Sequence, residues 1–141
     1  MGGCGVVFQL TPPSTPGGAW TENVIYSFTG VNGDGAIPSQ GSLVVDKNGV
    51  IYGTTECGGT GTSAHFPCAV NTLTGSGTVF SLTPPAAPGG AWTKTIVHSF
   101  TGGTDGAVPI AGLTLGPNGV FYGTASQGGS SGNGTVFSII P

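Results

Sequence analysis

The chain has 141 residues, 29 of them Gly and 11 Pro, yet Lys and Arg total 2 and Asp and Glu total 5. With 5% of its residues charged, against about 25% in an average globular domain, it offers no basic surface for a phosphate backbone, which excludes nucleic acid as a partner. Its apolar stretches reach about three residues, as in Leu43-Val44-Val45, whereas a membrane-crossing helix needs ~20, so no membrane span is expected.

Gly and Pro oppose helix interiors, and no segment repeats apolar residues at helical spacing. Short β-branched and aromatic runs between Gly, Asn and Pro clusters predict strands instead. The first is GVVFQL at 5–10, termed strand C for its place in the repeat below. Pro12-Pro13 and Gly17-Gly18 then set a wide turn into strand D, Trp20–Phe28. Two-residue alternation predicts that Trp20, Glu22, Val24, Tyr26 and Phe28 share one buried face, opposite Thr21, Asn23, Ile25 and Ser27. Strands A (Leu43–Asp46) and B (Val50–Thr55) follow, joined by Asp46-Lys47-Asn48-Gly49, where Asn-Gly accepts the positive φ of a hairpin turn. After an insertion at roughly residues 60–76 comes a second strand C, GTVFSL at 77–82, with Phe80 and Leu82 opposite Val79 and Ser81. The second strand D, Trp92–Phe100, is expected to place Trp92, Lys94, Ile96, His98 and Phe100 on one face. A second A–B pair, Leu113–Leu115 and Val120–Ala125, turns through Gly116-Pro117-Asn118-Gly119, and a third strand C, GTVFSI at 134–139, follows.

These elements repeat. TPPSTPGGAW at 11–20 matches TPPAAPGGAW at 83–92, YSFTG at 26–30 matches HSFTG at 98–102, DGAIP at 34–38 matches DGAVP at 105–109, and KNGVIYGT at 47–54 matches PNGVFYGT at 117–124. Near-identical four-strand units favour β-propeller-type blades over a sandwich, which needs no such identity, and over a solenoid, whose repeat is shorter. The expected fold is therefore all-β, built from four-stranded antiparallel meanders, about two blades in one domain (1–141). Strands C and D of a partial blade occupy 5–29, a full A-B-C-D blade with the inserted loop 60–76 occupies 41–101, and strands A, B and C of a partial blade occupy 112–141. Two blades close no ring, since propellers use about 4–8, and each end should leave an unpaired sheet edge.

GTVFSLTP at 77–84, AWTKTIVHSFTG at 91–102, DGAVP at 105–109 and NGVFYGT at 118–124, with their first-copy counterparts, resemble the GloVer tandem-repeat family. The resemblance covers nearly the whole chain. It implies propeller-like repeats of large secreted or surface-anchored bacterial proteins, hence an extracellular or cell-surface location, and it brings no catalytic residue. Met1-Gly2-Gly3 opens no apolar signal region, so secretion follows from the resemblance and the composition.

The chemistry-bearing residues are few. Cys57 and Cys68 bracket part of the insertion and are expected to form a disulfide closing a loop with little core of its own. Cys4 is then odd and is a candidate intermolecular thiol. A zinc site from Cys4, Cys57, His65 and Cys68 is the weaker reading, because no C-x₂-C spacing supports it. His98 stands where the first copy has Tyr26, so packing is favoured over base catalysis, and no G-x-S-x-G elbow is present. Among the carboxylates Glu22, Asp34, Asp46, Glu56 and Asp105, the repeat-equivalent Asp34 and Asp105 precede Gly in turns. There an Asp capping its own backbone is favoured over a calcium loop or a glycosidase pair. Trp20 and Trp92 follow Pro-Gly-Gly-Ala in both copies and are read as strand anchors, or, if exposed, as sugar-stacking residues.

No enzyme, no cofactor and no metal is expected. The sequence suggests an extracellular structural protein that self-assembles through open blade edges into a ring or filament, its partners copies of itself. A segment of a longer propeller is one alternative. Another is a lectin-like carbohydrate-binding module using Trp20, Trp92, Asp34 and Asp105, with polysaccharide as partner.

Overall fold

The computed structural model describes residues 3–38, 40–61 and 74–141. Its elements follow the repeat. β1 (Val6–Thr11) and β2 (Thr21–Ser27) form an antiparallel hairpin. A four-stranded antiparallel meander follows, in the order β4-β5-β7-β8: β4 (Val44–Val45), β5 (Ile51–Thr55), β7 (Thr78–Thr83) and β8 (Thr93–Ser99). A three-stranded meander closes the chain with β9 (Thr114–Leu115), β10 (Phe121–Ala125) and β11 (Thr135–Ile139). The fold is thus all-β and blade-type. We call the three sheets the leading, middle and trailing blades.

Local chemistry sets the turns and the register. Asn118 at φ 61° and Gly119 at φ 77° turn β9 into β10, and Gly49 at φ 80° turns β4 into β5, as Asn-Gly predicts. Asp46 Oδ1 steadies that turn, accepting from the Asn48 and Val50 amides at 2.8 and 2.9 Å. The repeated Tyr-Gly-Thr has a packing reason. Gly53 lies opposite Phe80, and a Cβ on Gly53 would come within 2.6 Å of the Phe80 ring. Gly123 and Phe137 repeat the arrangement. The glycine lets the strand-C phenylalanine lie across strand B.

Two apolar layers hold the blades together. Val7 and Phe28 of the leading blade pack with Ile51, Phe80 and Leu82, which lie on one face of the middle blade. The other face of the middle blade gives Tyr52 and Val79 to a second layer, with Phe100, Leu113, Phe121 and Ala125. Every residue of β5 is buried, as is all of β7 except Thr83. A sheet covered on both sides is what a central blade requires. Aromatic contacts repeat with the blades. Phe28 meets Phe80 edge-on at 5.0 Å, and Phe100 meets Phe137 edge-on at 5.1 Å.

The expected single face of strand D is wrong in both copies. The register slips between Val7 and Phe8, where Val7 pairs with Tyr26 but Phe8 with Val24. It slips again between Val79 and Phe80, where Val79 pairs with His98 but Phe80 with Ile96. A bulge of this kind puts one extra residue on one strand and reverses the alternation beyond it. Trp92 and Ile96 therefore face the leading blade, while Phe100 faces the trailing blade. Strand D thereby serves both neighbours.

A further pair of short strands crosses between blades: β3 (Gly35–Ala36) with β6 (Cys57–Gly58). The bridge Ala107 to Gln127 repeats it one blade later. In both copies a β-branched residue in front of a proline carries positive φ, Ile37 at 59° and Val108 at 56°. Such backbone is costly for these residues, and hydrogen bonds on both sides hold it. The Ile37 amide donates to the Cys4 carbonyl and its carbonyl accepts from the Glu56 amide; Val108 does the same with Ser76 and Ser126.

Candidate functional site

Asp34 sits immediately before β3, 6% exposed. Its Oδ2 accepts from the Thr29 amide and hydroxyl, each at 2.9 Å, and from the Tyr26 hydroxyl at 3.1 Å. Its Oδ1 accepts from the Gly35 amide and from Lys94 Nζ, both at 2.9 Å. Lys94 belongs to β8 of the next blade, and its ammonium also lies 5.8 Å from the centre of the Tyr26 ring. Burial alone would raise the Asp34 carboxyl. The Lys94 hydrogen bond, the Thr29 bonds and the Lys94 charge outweigh it and hold the group below its ordinary value. The same surroundings push the Tyr26 phenol up to about 12, by burial first and then by the neighbouring carboxylate.

Asp105 repeats half of this. Thr101 donates to it from its amide at 2.9 Å and from its hydroxyl. His98 stands where Tyr26 does, with Nε2 at 3.3 Å from Oδ2. Burial again opposes ionisation and is outweighed, here by the Thr101 and His98 hydrogen bonds and by the backbone amide of Asp105 itself, so this carboxyl too lies below its ordinary value. Among the described residues the lysine has no counterpart at Asp105. The second tie is also more open, its Asp and His side chains 28% and 40% exposed.

Both carboxylates are thus capping groups of their own turns. Sequence reasoning missed what Asp34 does across the joint. The signal was present in the co-repeating Tyr26/His98, Thr29/Thr101 and Asp34/Asp105, and in Lys94 replacing Glu22.

Trp20 and Trp92 have parted company. Trp92 packs against the first apolar layer, whereas Trp20 is 63% exposed. Trp20 shares the outer side of the leading blade with exposed Phe8, Leu10 and Val24. The counterparts of these three, Phe80, Leu82 and Ile96, all belong to the first apolar layer. On the outer side of the trailing blade, Tyr122 and Val136 are exposed, and their counterparts Tyr52 and Val79 are buried. Trp20 as a buried anchor is therefore corrected, since no residue among those described covers its ring.

Cys4 carries a free, half-buried thiol that donates to the Thr29 carbonyl at 3.2 Å. Cys57 is buried. Cys68 and His65 lie outside the described residues, and with them the expected Cys57–Cys68 disulfide and the zinc alternative. Among the described residues no three His, Cys, Asp or Glu side chains cluster as a metal ligand set, and no helix is long and apolar enough to cross a membrane. A cleft of about 610 Å³ lies between the Asp46-Lys47 turn and Asn118-Gly119, but Asp46 is already engaged within its own turn.

Stacked antiparallel meanders, each tied to the next by an aspartate-capped crossing, define a blade-type β-repeat protein. The chain belongs to the Gloeobacter/Verrucomicrobia repeat family, which it matches over residues 1–141. No curated protein and no solved structure matches it.

Proposed function

We propose that this chain is an extracellular structural module that joins end to end with copies of itself, the leading face of one chain meeting the trailing face of the next. One observation carries the reading: large apolar positions exposed on the two outer faces are buried or half-buried where the same position lies inside the stack. Phe8 is 49% exposed and Phe80 0%; Val136 is 81% exposed and Val79 1%. Exposed apolar surface of this kind marks an interface, and the internal joints supply a template for what fits it. The scarcity of charge removes the usual obstacle to such contact. The two faces differ, so the contact is heterologous, giving a ring if the rotation closes and a filament if it does not. A Cys57–Cys68 disulfide suits the extracellular setting, and non-reducing peptide mapping would detect it.

Light scattering across a concentration series tests the assembly. The wild type should grow in mass, whereas Phe8→Asp and Val136→Asp should each stay monomeric. Mixing the two variants should give a dimer, because each retains the face the other has lost. A wild type that stays monomeric at its solubility limit would refute the reading.

Exposed Trp20 also suits a lectin-like reading in which the indole stacks on a polysaccharide. Its half-buried counterpart Trp92, packed against the first apolar layer, favours the joint. Glycan-array binding lost in Trp20→Ala, with no change in mass, would favour the lectin.

A further inference from the structure

Among the described residues the two joints differ at the edge of strand C. In the first joint β8 pairs with the edge of β7, places Lys94 on Asp34, and lays Ile96 on the layer containing Phe28 and Phe80. In the second joint β11 holds the position of β7 and its Phe137 meets Phe100, yet among the described residues β11 pairs with β10 alone. Where the next strand D would lie there is a cleft of about 240 Å³, lined by His98, Phe100, Thr104, Asp105 and β11. An open edge, an apolar floor and a carboxylate without its lysine thus coincide.

We propose that this cleft is a strand-docking site for an extended segment bearing a lysine two residues before a β-branched aliphatic residue, as in Lys94-Thr95-Ile96. The segment adds to β11 by backbone pairing. Its ammonium reaches Asp105, and its aliphatic side chain covers Phe100 and Phe137 as Ile96 covers Phe28 and Phe80. Charge at one position selects the segment. Strand D of the leading blade has Glu22 where β8 has Lys94, and a carboxylate against Asp105 is repelled. The chain therefore accepts segments of the β8 kind and rejects those of the β2 kind, a discrimination built on one repulsive contact.

The test is fluorescence anisotropy with a labelled peptide of residues 89–102, titrated with the full chain at concentrations where it is monomeric. Saturable binding is expected. It should weaken about tenfold or more when the peptide carries Lys94→Glu, and weaken likewise with rising salt. The peptide of residues 17–30 should bind as poorly as the Lys94→Glu peptide. Asp105→Asn in the protein keeps a capping group for Thr101 and should lose the preference between Lys and Glu peptides; Asp105→Lys should reverse it. Amide exchange should slow along β11 on binding and at no other strand edge. Absence of binding, or equal binding of the Lys and Glu peptides, overturns the proposal. This site uses an edge and the end-to-end reading uses faces, so the two fail separately. Self-association without peptide binding removes only the docking site, and peptide binding by a permanent monomer removes only the assembly.

Discussion

At the first joint the carboxylate of Asp34 is buried and faces a lysine from the neighbouring blade; at the second, Asp105 keeps the same threonine contacts but meets a half-exposed imidazole. The turn is therefore a local device: Thr29 with Asp34, and Thr101 with Asp105, cap it from within one repeat. The tie between blades is a separate addition, supplied by strand D of the following blade. The same short motif makes a capped turn at both joints and, where β8 supplies Lys94, a buried ion pair.

The aromatic contacts should break the comparison most strongly. Phe80 is fully buried between blades with β8 at its edge, whereas Phe137 makes the equivalent ring contact on a half-open edge. Phe80→Ala should cost about 3–5 kcal/mol and Phe137→Ala about half as much, both read from urea denaturation. Equal costs would mean that β8 contributes nothing to holding Phe80 at the first joint.

The side chains facing the two carboxylates come next. Lys94→Ala leaves the Asp34 carboxylate buried without its counter-charge, which should cost about 3 kcal/mol. His98→Ala removes a partner from an exposed pair and an edge contact with Phe100 at 4.7 Å, together about 1 kcal/mol. A double variant, Lys94→Ala with Asp34→Asn, should recover part of the first loss, because a neutral amide tolerates burial better than an unpaired charge.

This asymmetry also explains how much the sequence reveals. Strand order, the Asn-Gly turns and the capping aspartates are local features, and each was readable from a few adjacent residues. The bulges at Val79/Phe80 and Val7/Phe8 were not, because uninterrupted alternation over Trp92–Phe100 looks like one face until the partner strand fixes the register. The Lys94–Asp34 tie joins residues from different copies of the repeat. The β3–β6 crossing consists of two-residue strands rich in Gly, too short for any periodicity. Trp20 and Trp92 share Pro-Gly-Gly-Ala before them and Thr after, yet Trp20 is exposed and Trp92 half-buried against the first apolar layer, so the neighbouring blade decides between them.

Acid should separate the joints by a smaller margin. A carboxyl whose folded value lies below its unfolded one stabilises the fold at pH above the unfolded value. That stability is lost as pH falls through the folded value, here below about pH 4. Both aspartates are lowered, but Asp34 is the buried one and also loses its ion pair on protonation. Asp34→Asn should therefore flatten the acid limb of the stability curve more than Asp105→Asn, as followed by tryptophan fluorescence from pH 5 to 2.

The smallest difference lies at the alkaline end, where the first joint has a phenol and the second an imidazole. Folding raises the Tyr26 phenol to about 12, so the folded state favours its neutral form. That preference is fully present below about pH 10 and fades as pH rises toward the folded value. In the wild type, phenolate absorbance should show a late component that Tyr26→Phe reduces. The substitution itself should cost about 1 kcal/mol through the lost bond to Asp34. Asp34→Asn should bring the late component forward without deleting it, because the carboxylate charge is one cause of the shift and burial is the larger. Tyr52, which burial and the Asp46 carboxylate also raise, keeps a late component of its own, so a late component left unchanged by Tyr26→Phe would mean that the phenol at the first joint is not held by the buried carboxylate.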